Sequence, residues 1–210
     1  MPSVCKSIIA TGMMAAFLNG CGLRGAEVPS PPSAKQIVDI LETEFSLERH
    51  VQKNKKENPR ALWTAYYANE EGKLPTFTIS LYRRGDFFTP ERETGLNERY
   101  EQIEMSIAEL EDEGIEDARA DFEKTAFRRK TLPNGEVGYG FIGGFGPGGT
   151  VEVAACRSGN ARFDLVVEIS RSHLNGKMYN DWYEKFQETG PLVVAERILI
   201  EVDRILVGGK

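Results

Sequence analysis

Hydrophobic positions recur along this chain with two different periods. From Ser33 to Asn58, Ile37, Ile40, Leu41, Phe45 and Leu47 fall near one side at helical spacing, which predicts a first helix. Ser33, following Pro31-Pro32, is its N-cap, and Asn58-Pro59 ends it. The stretch ALWTAYYANEEGKLPTFTISLYRR then predicts a hairpin turning at Glu70-Glu71-Gly72-Lys73. In its second strand Phe77, Ile79 and Leu81 alternate with Thr76, Thr78, Ser80 and Tyr82, the pattern of a strand with one face on a core. After Pro90 the period lengthens again. Leu96, Tyr100, Ile103, Ile107 and Leu110 form an apolar stripe on a second helix whose other positions are largely acidic.

From Arg119 to Arg171 the pattern predicts four antiparallel strands. Asn134-Gly135 is a hairpin turn signal. Ser158-Gly159-Asn160 turns a later hairpin, between a strand with Val151 and Val153 and one with Phe163, Leu165, Val167 and Ile169. A short helix is predicted over 179–186 and Gly190-Pro191 breaks it. A last helix places Val194, Ile198, Leu199, Val202, Ile205 and Leu206 on one face. Together these elements predict an α+β fold over residues 33–210: a mostly antiparallel sheet of about six strands covered by three or four helices. In element order alone this resembles PsbP-type α/β/α sandwiches, a likeness that implies a fold and no function.

The residues before the domain have a different character. Lys6 is followed by SIIATGMMAAF (Ser7 to Phe17), too short to span a bilayer but as long as the apolar region of a secretory signal. Leu18-Asn19-Gly20-Cys21 follows and resembles the lipobox of bacterial lipoproteins, with Leu at −3, a small residue at −1 and Cys at +1; Asn19 departs from the small residue usual at −2. The resemblance implies a leader over residues 1–20, a lipid on Cys21 and attachment to the cell envelope. Gly22 at +2, where Asp retains some such proteins at the inner membrane, points to the outer membrane or a periplasm-facing leaflet. An ordinary signal cut after Gly25 or Ala26 would place Leu23 or Arg24 where a small residue is needed. A buried helix is opposed by Gly12, Asn19, Gly20, Gly22 and Gly25. Residues 21–32, with GLRGAEVPSPP after the cysteine, carry neither period and predict a tether.

Charge and cysteine content narrow the function. A net charge of −6 argues against a general nucleic-acid binder. Of three cysteines, the lipoprotein resemblance implies that Cys5 leaves with the leader and Cys21 takes lipid, which would leave Cys156 without a disulfide partner.

The stretch GYGFIGGFGPGG begins with G-x-G-x-x-G, yet a phosphate-binding turn needs a helix after the glycines, and Thr150-Val151-Glu152-Val153 predicts a strand there. Gly143, Gly144, Phe145, Gly146, Gly148 and Gly149 are instead expected to form a wide, mobile connection that could close over a partner. The run Asp112-Glu113-Gly114-Ile115-Glu116-Asp117 lacks calcium-loop spacing. The two histidines, His50 and His173, form no zinc motif, and no nucleophile elbow is present. With Cys156 beside Arg162 across the hairpin, Cys156 and His173 would stand too far apart for a dyad, so Cys156 is expected to be a small core residue.

Two basic clusters, Arg83-Arg84 and Arg128-Arg129-Lys130, lie near strand ends; if those ends converge they make a patch for an anionic lipid or envelope polymer, and if not they are edge charges. The expectation is therefore a lipid-anchored envelope protein that binds a partner protein or an envelope component without catalysis, with no cofactor, metal or nucleic acid. The alternatives are an extracytoplasmic hydrolase using acidic residues and a carrier of small apolar ligands.

Overall fold

The computed structural model describes residues 28–33, 36, 50–54, 60–69, 76–146, 149–159, 162–170 and 190–208. Its element order is β1 (His50–Asn54), β2 (Trp63–Asn69), β3 (Thr76–Arg83), α1 (Pro90–Asp112), α2 (Ala118–Thr125), β4 (Phe127–Thr131), β5 (Val137–Gly146), β6 (Gly149–Arg157), β7 (Phe163–Ser170) and α3 (Pro191–Gly208). The strands form one sheet in the order β1-β2-β3-β7-β6-β5-β4, with every neighbouring pair antiparallel. Two meanders, β1 to β3 and β4 to β7, are thus joined where β3 pairs with β7, and α1 and α2 carry the chain between them.

The fold is the predicted α+β class. Its seventh strand is β1, which lies where the first helix was expected to continue. The apolar stripe of that helix ends at Leu47, and beyond it the backbone pairs with β2 from His50↔Asn69 to Asn54↔Ala65. At the helix's start, the Gln36 N–H donates to Ser33 Oγ at 3.3 Å and the Ser33 N–H donates to Gln36 Oε1 at 2.9 Å, the reciprocal pair of a capping box. The body of that helix, the 70–73 turn and the short helix at 179–186 lie outside the described residues.

Three further expectations are corrected. The start of the expected strand region is helical: α2 follows Gly114, whose φ of +89° reverses the chain after α1. The glycine-rich stretch is largely paired strand, since β5 runs through Gly146 and β6 begins at Gly149, with a register shift between Gly143 and Gly146. The tether does not extend to residue 32. Trp63 Nε1–H donates to the Pro29 carbonyl at 2.7 Å and the Tyr67 hydroxyl to the Pro32 carbonyl at 2.8 Å. Prolines leave their carbonyls free to accept while removing donors, so this segment lies along β2.

The sheet has a core on each face. On one, α3 lays Val194, Ala195, Ile198, Leu199 and Val202 onto Ile79, Leu81, Leu165, Val167 and Cys156. On the other, Leu96, Tyr100 and Ile103 of α1 meet Tyr139, Val153, Ala155, Val166 and Phe127. Both faces of β3 are therefore buried, including Thr76, Thr78 and Ser80 on its polar side. The Ser80 and Thr64 hydroxyls, 3.0 Å apart, satisfy one another there.

The glycines of the G-x-G-x-x-G match serve this packing. A Cβ at Gly138 would lie 2.8 Å from Leu132 Cγ, and one at Gly143 3.2 Å from Val153 Cγ2. No helix N-terminus follows them, because β5 leads directly into β6.

Candidate binding surface

The two predicted basic clusters do not meet. In the sheet order, β7, β6 and β5 stand between β3 and β4, which separates Arg83-Arg84 from the β4 triplet by four strand spacings, about 19 Å. The triplet is also divided between the two faces by strand alternation. Arg128 Nε donates to Glu196 of α3 at 3.1 Å, and Lys130 Nζ pairs with the same carboxylate. Arg129 points the other way and stacks over the Tyr100 ring, 5.2 Å from its centroid. Arg128 and Glu196 are both largely buried, so this group ties the edge strand to α3.

Arg83 and Arg84 acquire different neighbours. The Leu62 N–H donates to the Leu81 carbonyl at 2.7 Å, which sets the residues preceding β2 beside the end of β3. The Arg84 N–H donates to the Arg162 carbonyl at 3.0 Å, which sets the residue preceding β7 on its other side. Arg60, Arg83, Arg84 and Arg162 are all exposed at this one end of three adjacent strands. Across the strands they span about 10 Å.

A buried carboxylate shapes that end. Asp164 on β7 is fully buried, and its Oδ2 accepts the N–H groups of Gly85 at 2.9 Å, Phe87 at 3.2 Å and Phe88 at 3.0 Å. Gly85 supplies the positive φ, +86°, of the turn closed by the Asp86 N–H on the Arg83 carbonyl at 3.0 Å. Beyond it Thr89 Oγ1 accepts the Arg92 N–H at 3.3 Å and Pro90 opens α1. Thus Asp164 fixes both the arginine-bearing corner and the start of the covering helix.

Two other features adjoin the core. Between α1 and the sheet lies a polar cavity of about 130 Å³, bordered by Glu93, Asn97, Arg129, Glu136, Tyr139 and Arg157. Arg157 Nη2 reaches Glu93 Oε2 at 2.7 Å, and the Tyr139 hydroxyl reaches Asn97 Oδ1 at 3.1 Å. Its two cations and two carboxylates balance, so it favours neither sign of ligand. A second, more apolar groove of about 410 Å³ lies between the end of α3 and the β4–β5 turn, against Leu132, Pro133, Ile200 and Val207. Beneath it Asp203 accepts the Ser158 hydroxyl at 2.6 Å and the Asn134 amide at 2.7 Å, joining two hairpin turns to α3.

Comparison with protein-family models, with curated proteins and with solved structures found no match. The surface therefore rests on its own geometry.

Of the residues singled out from sequence, Cys21, His173 and Gly148 lie outside the described residues. Gly143, Gly144, Phe145 and Gly146 belong to β5 and Gly149 to β6. Cys156 is fully buried and faces Leu165, not Arg162, across the hairpin. Burial pushes its thiol far above the ordinary range, with the charge of Asp203 adding to the effect. A thiol held protonated is no nucleophile. Among the described residues no group of three His, Cys, Asp or Glu side chains is arranged to hold a metal, and no helix is long and apolar enough to cross a membrane. Sequence reasoning missed Arg60, Arg162 and Asp164. Arg60 and Arg162 are single charges in sequence, and only the β2–β3 and β3–β7 pairings bring them to Arg83-Arg84.

Proposed function

We propose that the chain is an exported lipoprotein whose α+β domain is a non-enzymatic binding module of the bacterial cell envelope. The observation that carries this reading is the run from Lys6 through the apolar residues to Leu18-Asn19-Gly20-Cys21, set just ahead of the docked proline segment. Cys21 would carry the lipid and residues 22–27 the remaining tether. The arginines at the end of β2, β3 and β7 favour an anionic envelope component as the bound partner. The carboxylates Glu93, paired with Arg157, and Glu196, paired with Arg128 and Lys130, hold structural ion pairs, which speaks against the acidic-hydrolase reading for those groups.

The test is cell fractionation with detergent-phase partitioning. The wild-type chain should enter the membrane and detergent fractions, and Cys21→Ser should not mature to a detergent-partitioning form. Equal partitioning of the two would refute the reading.

The groove beside Leu132, Ile200 and Val207 favours a second reading, carriage of a small apolar ligand. A fluorescent acyl probe that binds the wild type and is excluded by Ile200→Trp would support it.

A further inference from the structure

The docked segment at Pro29–Pro32 has a direction. Pro29 meets Trp63 at the start of β2, and Pro32 meets Tyr67 four residues further along. The segment therefore runs with β2, and followed backwards it leaves the sheet past Trp63, toward Leu62 and Arg60. This is the sheet end that carries Arg60, Arg83, Arg84 and Arg162. Val28, where the described segment begins, and the arginine cluster thus share one end of the molecule.

We propose that this end is a docking surface for anionic lipid headgroups, held against the bilayer by the lipid on Cys21. The inference rests on the lipoprotein reading above and adds the orientation of the domain. From Cys21 to Val28 the chain can reach at most about 23 Å, at about 3.3 Å per residue, so the domain cannot stand far from the lipid that anchors it. Within that span this end can come inside the roughly 10 Å over which surface charge acts at ordinary salt. The whole chain is acidic, at −6, so without a specific basic surface it would be repelled by an anionic leaflet. Four exposed arginines across about 10 Å at the shared end of β2, β3 and β7 make this end basic, with the exposed acid Asp86 in the same turn. The corner that presents two of them is fixed from beneath by Asp164, so it meets a surface already in shape.

The experiment uses the mature lipoprotein, with its mass confirming a lipidated Cys21, reconstituted into vesicles. One set is zwitterionic phosphatidylcholine and the other contains phosphatidylglycerol as well. Asp86→Cys carries a thiol-reactive dye at the arginine corner, and Glu109→Cys carries it about 28 Å along α1 from Pro90. Cys156 is buried and does not compete for the dye. Headgroup nitroxides then quench the dye by proximity.

The expected result is quenching at position 86 that is several-fold stronger on the anionic vesicles and weak at position 109. It should fall at least about threefold when salt is raised to about 0.5 M, and equally in Arg83→Gln/Arg84→Gln. Arg83→Lys/Arg84→Lys should retain it, as should Arg99→Gln, a charge change on α1. Equal quenching at both positions, or no dependence on lipid charge in folded protein, would overturn the docking surface while the mass leaves the lipoprotein reading standing. An unlipidated mass would overturn the reading itself. Tight binding to soluble polyphosphate without quenching on vesicles would also overturn the inference and assign the arginines to an anionic polymer.

Discussion

Oδ2 of Asp164, fully buried on the central strand, accepts the backbone N–H of Phe88 at 3.0 Å. The same oxygen takes the N–H groups of Gly85 and Phe87. One side chain of β7 thereby takes three backbone N–H groups of the β3–α1 corner. Asp164→Ala would strand the buried N–H groups of Phe87 and Phe88, while that of exposed Gly85 turns to water, and should cost about 2–4 kcal/mol, since each buried unsatisfied donor costs about 1–3 kcal/mol. Asp164→Asn retains one acceptor and should cost less. Urea unfolding measures both, and a loss below about 1 kcal/mol for the alanine variant would refute the account of this corner.

A second carboxylate joins elements far apart in sequence. Asp203 on α3 holds Ser158 at 2.6 Å and Asn134 at 2.7 Å. Ser158→Ala should destabilise by about 1–2 kcal/mol and Asp203→Ala by about 2–4 kcal/mol. Because the residues share one network, the double variant should cost clearly less than the sum. Additive losses in chemical denaturation would show that the two groups act separately.

The glycines offer a contrast in sign. A Cβ at Gly138 meets the buried Leu132 side chain at 2.8–2.9 Å, whereas one at Gly95 in α1 meets open space. Gly138→Ala should destabilise by about 1–3 kcal/mol through overpacking. Gly95→Ala should stabilise by about 0.5–1 kcal/mol through helix propensity. Melting temperatures of the two variants would decide this, and equal shifts would contradict the packing role assigned to Gly138.

Cys156 supplies the pH dependence. Burial raises its thiol pKa above the ordinary value of 9.0. Its contribution is then fully present below pH 9, and it is lost as pH rises from there toward the folded value, because the unfolded chain ionises first. Native protein should therefore resist a thiol reagent at pH 8 and lose stability as pH climbs beyond about 9. Cys156→Ala should flatten that alkaline loss, although buried Tyr67, likewise raised, leaves part of it. Rapid labelling of Cys156 in folded protein would contradict this account.

What the sequence revealed depended on how local the cause was. The stripe from Leu96 to Leu110 and the face from Val194 to Val202 were legible because helical period is a property of consecutive residues. The Asn134-Gly135 turn was legible for the same reason, and Gly135 adopts the positive φ, +83°, that the turn needs. Sheet order was not legible, since the β3–β7 pairing joins residues far apart in sequence, such as Arg83 and Phe163. That pairing decides which arginines assemble, so the patch expected from Arg83 to Lys130 gave way to one containing Arg60 and Arg162. Asp164 was hidden by its pattern. An acidic residue alternating with Phe163 and Leu165 reads as a solvent-facing position, and only the corner folded over it makes it buried.

The central claim, an exported and lipid-anchored domain, is tested most directly by the intact mass of the protein from an envelope fraction, beside Cys21→Ser. The account predicts a chain beginning at residue 21 and heavier than its sequence by a lipid, with that mass lost in the variant. An unmodified chain retaining residues 1–20, recovered from the soluble fraction, would contradict it.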